Sequence, residues 1–248
     1  MKIKPVRFLR KLLSPAIQAT VWPADFEDFH KEIIEKVRPY TMTSNERLFA
    51  LIEAVKYIVN NHIEGDIVEC GVWKGGSMMA AAETLRKLGQ TNRNLYLYDT
   101  YAGMTAPTDA DKAHNNETAA ALLEKDINNK SDSVVWAYSS VEEVRANVAT
   151  IGYPAQLIHF IEGDVLKTIP ATVSEKIALL RLDTDWYEST KHEMIHLYPK
   201  LVSKGALIID DYGFWKGSRQ AVDEYIAENK VQILLNRIDD TGRVAVKN

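Results

Sequence analysis

Short strand-like segments that end at acidic residues recur along this chain of 248 residues. Residues 94–98, 156–161, 176–182 and 206–209 each run directly into an aspartate or a glutamate, and residues 66–70 run into a glycine-rich turn. Segments of helical character separate these strands, and such alternation predicts a mostly parallel sheet with helices on both faces. Ligands bind such sheets at the carboxyl ends of the strands, so the acidic residues mark the expected site.

The intervening segments carry helix signals. Residues 43–46 have the pattern of a capping box followed by apolar residues at helical spacing, and residues 140–143 have the same pattern. Residues 78–88 are rich in helix formers. A polar stretch at 102–133, with weak helical character around 117–127, follows a strand end, where long excursions often serve as lids.

The C-terminal region predicts an antiparallel edge. Residues 231–238 and 243–246 have strand character and flank the tetrapeptide DDTG at 239–242, which is typical of a β-hairpin turn. We therefore expect a hairpin to close one edge of the sheet.

Composition limits the classes of partner. The chain has 30 Lys and Arg against 34 Asp and Glu, a formal charge of −4, so it has no overall attraction to nucleic acids or anionic membranes. No apolar run reaches transmembrane length, so no stable membrane insertion is expected. The single cysteine, Cys70, suits a reducing compartment, and we expect a cytoplasmic protein.

The first 42 residues predict a separate N-terminal arm. Their basic opening contains only short apolar pieces, which do not form a signal-peptide core. We expect residues 1–42 to fold over the site or pack on a second subunit, and residues 43–248 to form the main domain.

The turn after the first strand, GVWKGGS at 71–77, can bring the backbone close to a ligand at a helix N-terminus, although a tight connection explains it equally well. It is neither a GxGxxG turn nor a P-loop. Glu69, just before it, could lie beside a cationic sulfonium ligand or cap the amides of the turn.

Two further acids suit a nucleoside. Asp99 follows Gly76 by 23 residues at a strand end, where a carboxylate can accept hydrogen bonds from both ribose hydroxyls; the alternative is a cap for the next turn. Asp164 could accept from an adenine amino group or cap its own turn.

The strongest cluster is Asp183, Asp185, Asp210 and Asp211, because two neighbouring strand ends bring these carboxylates together. Like charges so close repel each other unless a cation joins them, and oxygen ligands suit Mg²⁺ first, with Ca²⁺ or Mn²⁺ as alternatives. The alternative is a set of acidic turns paired with Lys or Arg.

Five motifs together resemble the bacterial macrocin and mycinamicin sugar O-methyltransferases and the related aminocoumarin sugar O-methyltransferase. They are IVECGVWKGGS, YDTYAGM, SVEEVRANV, LLRLDTDWYESTKHEMIHLYPKL and GALIIDDYG, and the likeness runs from about Thr41 to the C-terminus. The resemblance implies an α/β fold of the Rossmann-like class I methyltransferase type. This fold has a mostly parallel seven-stranded sheet, an antiparallel C-terminal hairpin and a helical N-terminal extension.

The resemblance also implies S-adenosylmethionine as methyl donor, a required Mg²⁺, a sugar hydroxyl of a secondary metabolite as acceptor, and a homodimer. It makes Asp183 a metal ligand and the suspected general base, with Asp185 as the other candidate base, and it makes Asp210 and Asp211 the remaining metal ligands. The predicted cofactor-binding residues are Glu69, Gly71, Ser77, Asp99, Ser140 and Asp164. The chain departs from the family pattern at Thr184, where glycine is more frequent, at Cys70, where threonine is frequent, and most of all at 102–133.

Other functions stay open at this point. The same metal chemistry serves a catechol or phenol acceptor, and a methyltransferase-like protein can bind a nucleoside without turnover. A nicotinamide-dependent oxidoreductase shares the sheet, but it requires a GxGxxG turn and has no use for paired aspartates after two later strands.

Overall fold

The computed structural model describes residues 22–248. Its helices are α1 (Asp28–Val37), α2 (Asn45–Asn60), α3 (Gly76–Lys87), α4 (Ala119–Lys125), α5 (Val141–Ala149), α6 (Val165–Thr168), α7 (Tyr187–His196) and α8 (Lys216–Glu228). Its strands are β1 (Asp66–Cys70), β2 (Leu95–Asp99), β3 (Ile158–Glu162), β4 (Ile177–Leu182), β5 (Leu201–Ile209), β6 (Asn236–Arg237) and β7 (Arg243–Val246).

The strands form one seven-stranded sheet in the order β3-β2-β1-β4-β5-β7-β6. The first five strands in this order pair in parallel, and β7 pairs antiparallel with both β5 and β6. This confirms the mostly parallel seven-stranded sheet with an antiparallel C-terminal hairpin. The direction of winding reverses between β1 and β4, which is where open α/β sheets form their ligand crevice.

Alternate residues of the central strands face two different helical layers. Ile67 and Leu179 pack in a core with α1, α2, α3 and α5 on one face of the sheet. Val68 and Leu180 pack in a second core with α7 and α8 on the other. Since successive strand residues point to opposite faces, these apolar strands are buried on both sides. The sheet is therefore rigid where its strand ends carry the acidic residues.

Two local predictions differ from the structure. The hydroxyl of Ser44, not of Thr43, caps α2 by accepting from the backbone N–H of Arg47 at 3.1 Å. Residues 231–235 are not a strand, because only Asn236 and Arg237 pair with β7. Leu234 is 75% exposed, whereas Val231, Ile233 and Leu235 pack at the edge of the second core, so the segment has apolar contacts but no partner strand among the described residues.

The predicted arm is described in part. Residues 1–21 lie outside the described residues, whereas α1 buries Ile33, Ile34 and Val37 in the same core as α2 and α3. The division of the chain at residue 42 stays a prediction. None of the helices within residues 22–248 is long and apolar enough to cross a membrane.

Candidate active site

A cavity of about 410 Å³ opens at the carboxyl ends of β1, β2, β4 and β5. Four of the predicted cofactor-binding residues line it, namely Gly71, Ser77, Asp99 and Asp164, and so do the predicted metal ligands Asp183, Asp210 and Asp211. This volume is in the range of small-molecule sites. One cavity therefore brings together acids that are more than 100 residues apart in the chain.

Gly71 sets how closely the two central strand ends approach. Its φ of +83° is left-handed, and a Cβ there would collide with the carbonyl group of Asp183. The backbone N–H of Asp183 donates to the carbonyl oxygen of Cys70 at 2.8 Å, just beyond the end of the β1–β4 ladder. The glycine turn and the first metal-site aspartate thus share one backbone junction.

Asp99 ties the glycine turn to the end of β2. Its Oδ2 accepts from the backbone N–H groups of Val72 at 2.6 Å and Trp73 at 3.1 Å, and its Oδ1 accepts from Tyr101 N–H at 2.7 Å. Burial raises the pKa of Asp99, and these backbone amides oppose the rise. Asp99 therefore caps the glycine turn and also lines the cavity, and its role as a ribose-binding residue stays a prediction.

The remaining predicted donor-site residues divide between the cavity and the core. Asp164 caps α6 by accepting from Leu166 N–H at 3.0 Å, and it lines the cavity. Ser77 is in the first turn of α3. Ser140 caps α5 and does not line the cavity. Glu69 lies beneath the cavity, fully buried.

Three aspartates converge at the end of β4 and β5. Asp183, Asp185 and Asp211 each offer a carboxylate oxygen, and these oxygens lie within 4.8 Å of one another. Removal from water, together with repulsion between the carboxylates, raises the pKa of Asp183 and Asp211 well above its usual range. Chiefly through burial, the pKa of Asp185 rises to about 7. Oxygen donors that repel each other in this way suit a hard divalent cation.

Asp210 has different neighbours from those expected of a metal ligand. Its Oδ1 accepts from Arg181 and its Oδ2 from Arg47, and the Thr43 hydroxyl donates to it at 3.4 Å. The geometry therefore groups Asp185, rather than Asp210, with Asp183 and Asp211.

The buried Arg181 is a site residue that the sequence analysis did not single out. Its guanidinium donates to Glu69 at 2.6 Å and to Asp183 at 2.7 Å, in addition to Asp210. Burial raises the pKa of Glu69 to about 7 against the effect of Arg181, and Glu69 Oε2 has no hydrogen-bond partner. The detectable signal was a lone arginine inside an otherwise apolar strand, because a buried charge requires a partner.

Apolar side chains also line the cavity. They include Met104, Leu122, Val135, Phe214 and Trp215, of which the first three come from the predicted lid at 102–133 or directly after it. Trp186 attaches this segment to the sheet, because its Nε1–H donates to the carbonyl oxygen of Thr105 at 3.1 Å. The cavity thus has an acidic floor and an apolar wall.

Residues 27–247 match the macrocin O-methyltransferase (TylF) family. The demethyldecarbamoylnovobiocin O-methyltransferase of Streptomyces niveus is 31% identical over 203 residues, which are 82% of this chain and 74% of that protein. The mycinamicin III 3''-O-methyltransferase of Micromonospora griseorubida is 29% identical over 203 residues, covering 82% of this chain and 76% of that protein.

Solved structures agree with this match. The O-methyltransferase NovP superimposes with a TM-score of 0.71 at 30% identity, over 84% of this chain and 82% of that one. The calicheamicin methyltransferase CalS11, at 16% identity, shares the fold with a TM-score of 0.60 over 88% and 91% of the two chains. The chain therefore belongs to the macrocin O-methyltransferase family and is an S-adenosylmethionine-dependent O-methyltransferase.

Proposed function

We propose that this enzyme methylates a hydroxyl of a sugar within a secondary metabolite, with the help of a bound Mg²⁺. The observation that carries the proposal is the single cavity in which the glycine turn and Asp99 adjoin the three converging carboxylates of Asp183, Asp185 and Asp211. The relatives named above act on novobiocin and mycinamicin precursors, which supports an acceptor of this kind.

The donor half of the cavity is proposed to bind the nucleoside. Asp99 can accept from the ribose hydroxyls with the lone pairs that its backbone donors leave free, and Asp164 can accept from the adenine amino group. Gly71 lets the donor approach the backbone, with Ser77 beside it at the start of α3. Glu69 holds the guanidinium of Arg181 beneath the cavity, and Ser140 contributes by capping α5.

The acidic half is proposed to hold the metal. Asp183, Asp185 and Asp211 fit a hard cation by donor type and spacing, and Asp210 becomes a ligand if its arginine partners release it. When bound, the ion would lower the pKa of an acceptor hydroxyl and hold it in place.

Two aspartates can take the acceptor proton. Asp183 is the base that the sequence predicts, but Arg181 already donates to its Oδ2. Among residues 22–248 no arginine donates to Asp185, so no guanidinium occupies its carboxylate. The apolar wall excludes water from the reacting oxygen, so most of the rate enhancement comes from positioning and charge stabilisation.

Binding and turnover test this proposal in sequence. The metal-stripped protein is titrated calorimetrically with S-adenosylhomocysteine and with NAD, each with and without Mg²⁺. We expect micromolar binding of S-adenosylhomocysteine alone, followed by Mg²⁺-dependent methylation of sugar hydroxyls in an acceptor panel that includes catechols. Turnover of catechols only would make the enzyme a phenol methyltransferase, and binding without any turnover would make it a nucleoside-binding protein.

The homodimer and the cytoplasmic location also remain proposals. Light scattering of the purified full-length chain tests the first, and cell fractionation tests the second.

A further inference from the structure

The loop between β4 and α7 carries two of the three converging aspartates, Asp183 and Asp185. Between them lies Thr184, whose hydroxyl donates to Glu193 Oε1 at 2.9 Å. Glu193 lies on α7 with no exposed surface, and it does not line the cavity. A side-chain hydrogen bond from the middle of the loop therefore anchors it to a buried position on the next helix.

The loop requires such an anchor because its backbone conformation is unfavourable. Asp185 has a φ of +69°, a left-handed value that is unfavourable for residues with a Cβ, although aspartate tolerates it better than most. This conformation lets Asp185 meet Asp183 and Asp211 within the 4.8 Å cluster. Repulsion between the three carboxylates opposes the same arrangement, so contacts outside the cluster must hold the loop.

Glu193 is a buried hydrogen-bond acceptor for the Thr184 hydroxyl. Its second oxygen, Oε2, is buried without a hydrogen-bond partner among residues 22–248, and the Cys70 thiol also lies against this carboxyl. Burial raises the pKa of Glu193 to about 8, against the effect of that hydrogen bond. A neutral carboxyl adds no further negative charge beneath the three aspartates.

We propose that Thr184 and Glu193 form a positioning pair that holds the Asp183–Asp185 loop in its metal-binding conformation, an inference that rests on the metal site of the proposed function. Neither residue transfers a proton. The pair acts through the two aspartates on either side of Thr184. Groups that orient metal ligands in this way typically change metal affinity by about 10- to 100-fold. The donor half of the cavity, around Asp99, does not depend on this hydrogen bond.

The test compares variants that keep the hydrogen bond between Thr184 and Glu193 with variants that remove it. Thr184→Val removes the hydroxyl at constant shape, Thr184→Ala removes it without added bulk, and Thr184→Ser retains it. Glu193→Gln keeps a neutral acceptor, whereas Glu193→Leu abolishes it. Thr84→Val is the control for loss of a threonine hydroxyl, because Thr84 is fully buried and its hydroxyl donates to the carbonyl oxygen of Ala80 at 2.7 Å in a distant helix.

Each full-length variant is titrated with Mn²⁺ by electron paramagnetic resonance and with S-adenosylhomocysteine by calorimetry. We expect Thr184→Val, Thr184→Ala and Glu193→Leu to bind Mn²⁺ about tenfold more weakly, with donor affinity unchanged. Thr184→Ser, Glu193→Gln and Thr84→Val should match the wild type.

Two results overturn the proposal and differ in what else they affect. If Thr184→Ala and Glu193→Leu bind Mn²⁺ as tightly as the wild type, Thr184 and Glu193 do not position the loop, and the proposed metal site still stands. If the wild type itself does not bind Mn²⁺, the positioning role and the metal site are both refuted. Binding of S-adenosylhomocysteine to the same sample would show that the protein is folded and its donor site intact.

Discussion

Asp183 and Asp185 line the same cavity but have different neighbours. Substitution of Asp183 tests the residue that the sequence favours as the general base. Asp183→Asn removes a charge from the acidic cluster and leaves the donor half of the cavity unchanged. We expect turnover to fall by at least about 100-fold, with S-adenosylhomocysteine affinity retained. Initial rates and calorimetry measure the two effects. Full activity in this variant would remove Asp183 from the mechanism.

Gly71 offers a second test at the scale of one residue. Gly71→Ala combines a left-handed backbone with a Cβ that collides with the Asp183 carbonyl, so the strand-end junction must open. We expect S-adenosylhomocysteine affinity to fall by tenfold or more, an order-of-magnitude expectation for a displaced site.

Gly89→Ala is the control for Gly71→Ala. Gly89 has a similar φ of +71°, but a Cβ there meets nothing within 4 Å. It should lose about 1 kcal/mol of stability and bind the donor product normally. Equal loss of donor affinity in both variants would show that backbone strain, and not the collision, is responsible.

The sequence predicted site residues well where the sheet alone determines their position. Asp99, Asp164 and Asp183 follow strand ends, and neighbouring parallel strands end at the same edge. The partners of Asp210 were not predictable, because Arg47 is 163 residues away in the chain and no local pattern links the two. Two of the departures from the family pattern, Cys70 and Thr184, neighbour Glu193, a relation that only the packed structure reveals.

At the scale of elements, the C-terminal hairpin and the start of α2 are joined through Asp239. One oxygen of Asp239 accepts from the Ser44 hydroxyl at 2.6 Å and from Arg47 at 3.0 Å, and the other accepts from two amides of its own turn. Burial would raise the pKa of Asp239, but these partners outweigh it and lower the pKa to about 2. Since Arg47 also contacts Asp210, the hairpin turn helps to orient an arginine of the site.

Substitution of Asp239 tests this connection. Asp239→Ala removes both sets of hydrogen bonds and should cost about 2 to 3 kcal/mol in the free energy of unfolding. Asp239→Asn can still accept from the turn amides, so its loss should be smaller. Urea denaturation measures both values. Equal stability of all three proteins would mean that the hairpin does not depend on this carboxylate.

Element boundaries followed the sequence where a strand is covered on both faces. Strand β1 has the predicted limits, and the end of β4 is correct; β7 also has the predicted limits, although Val246 at its end is 44% exposed. The failures lie at the surface. Segment 231–235 has strand composition and packs alternate side chains on the second core, but composition alone does not report whether a partner strand is present.

At the scale of the whole molecule, buried carboxyls link folding to pH. Burial raises the pKa of Glu69 to about 7 and that of Glu193 to about 8, from 4.5 for an ordinary glutamate. Between about pH 4.5 and pH 7 the folded chain therefore holds protons on both glutamates that the unfolded chain has released, in addition to those that Asp183, Asp185 and Asp211 retain in the metal-free cluster. Stability from these groups is complete below about pH 4.5 and is lost as the pH rises through 7 and 8.

Urea denaturation of the metal-free protein across this range should show that loss. Each group lowers the free energy of unfolding by up to roughly 1.4 kcal/mol per pH unit between about pH 5 and pH 7. Glu193→Gln stays neutral, so it should reduce the slope of the free energy of unfolding against pH by the share of one carboxyl. Glu142→Gln, on the exposed surface of α5, should leave the slope unchanged. Asp239 does not disturb this test, because its lowered pKa restricts its effect to more acidic solutions. A profile that rises with pH over the same range would mean that Glu69 and Glu193 are ionised in the folded protein, with cations other than Arg181 compensating them.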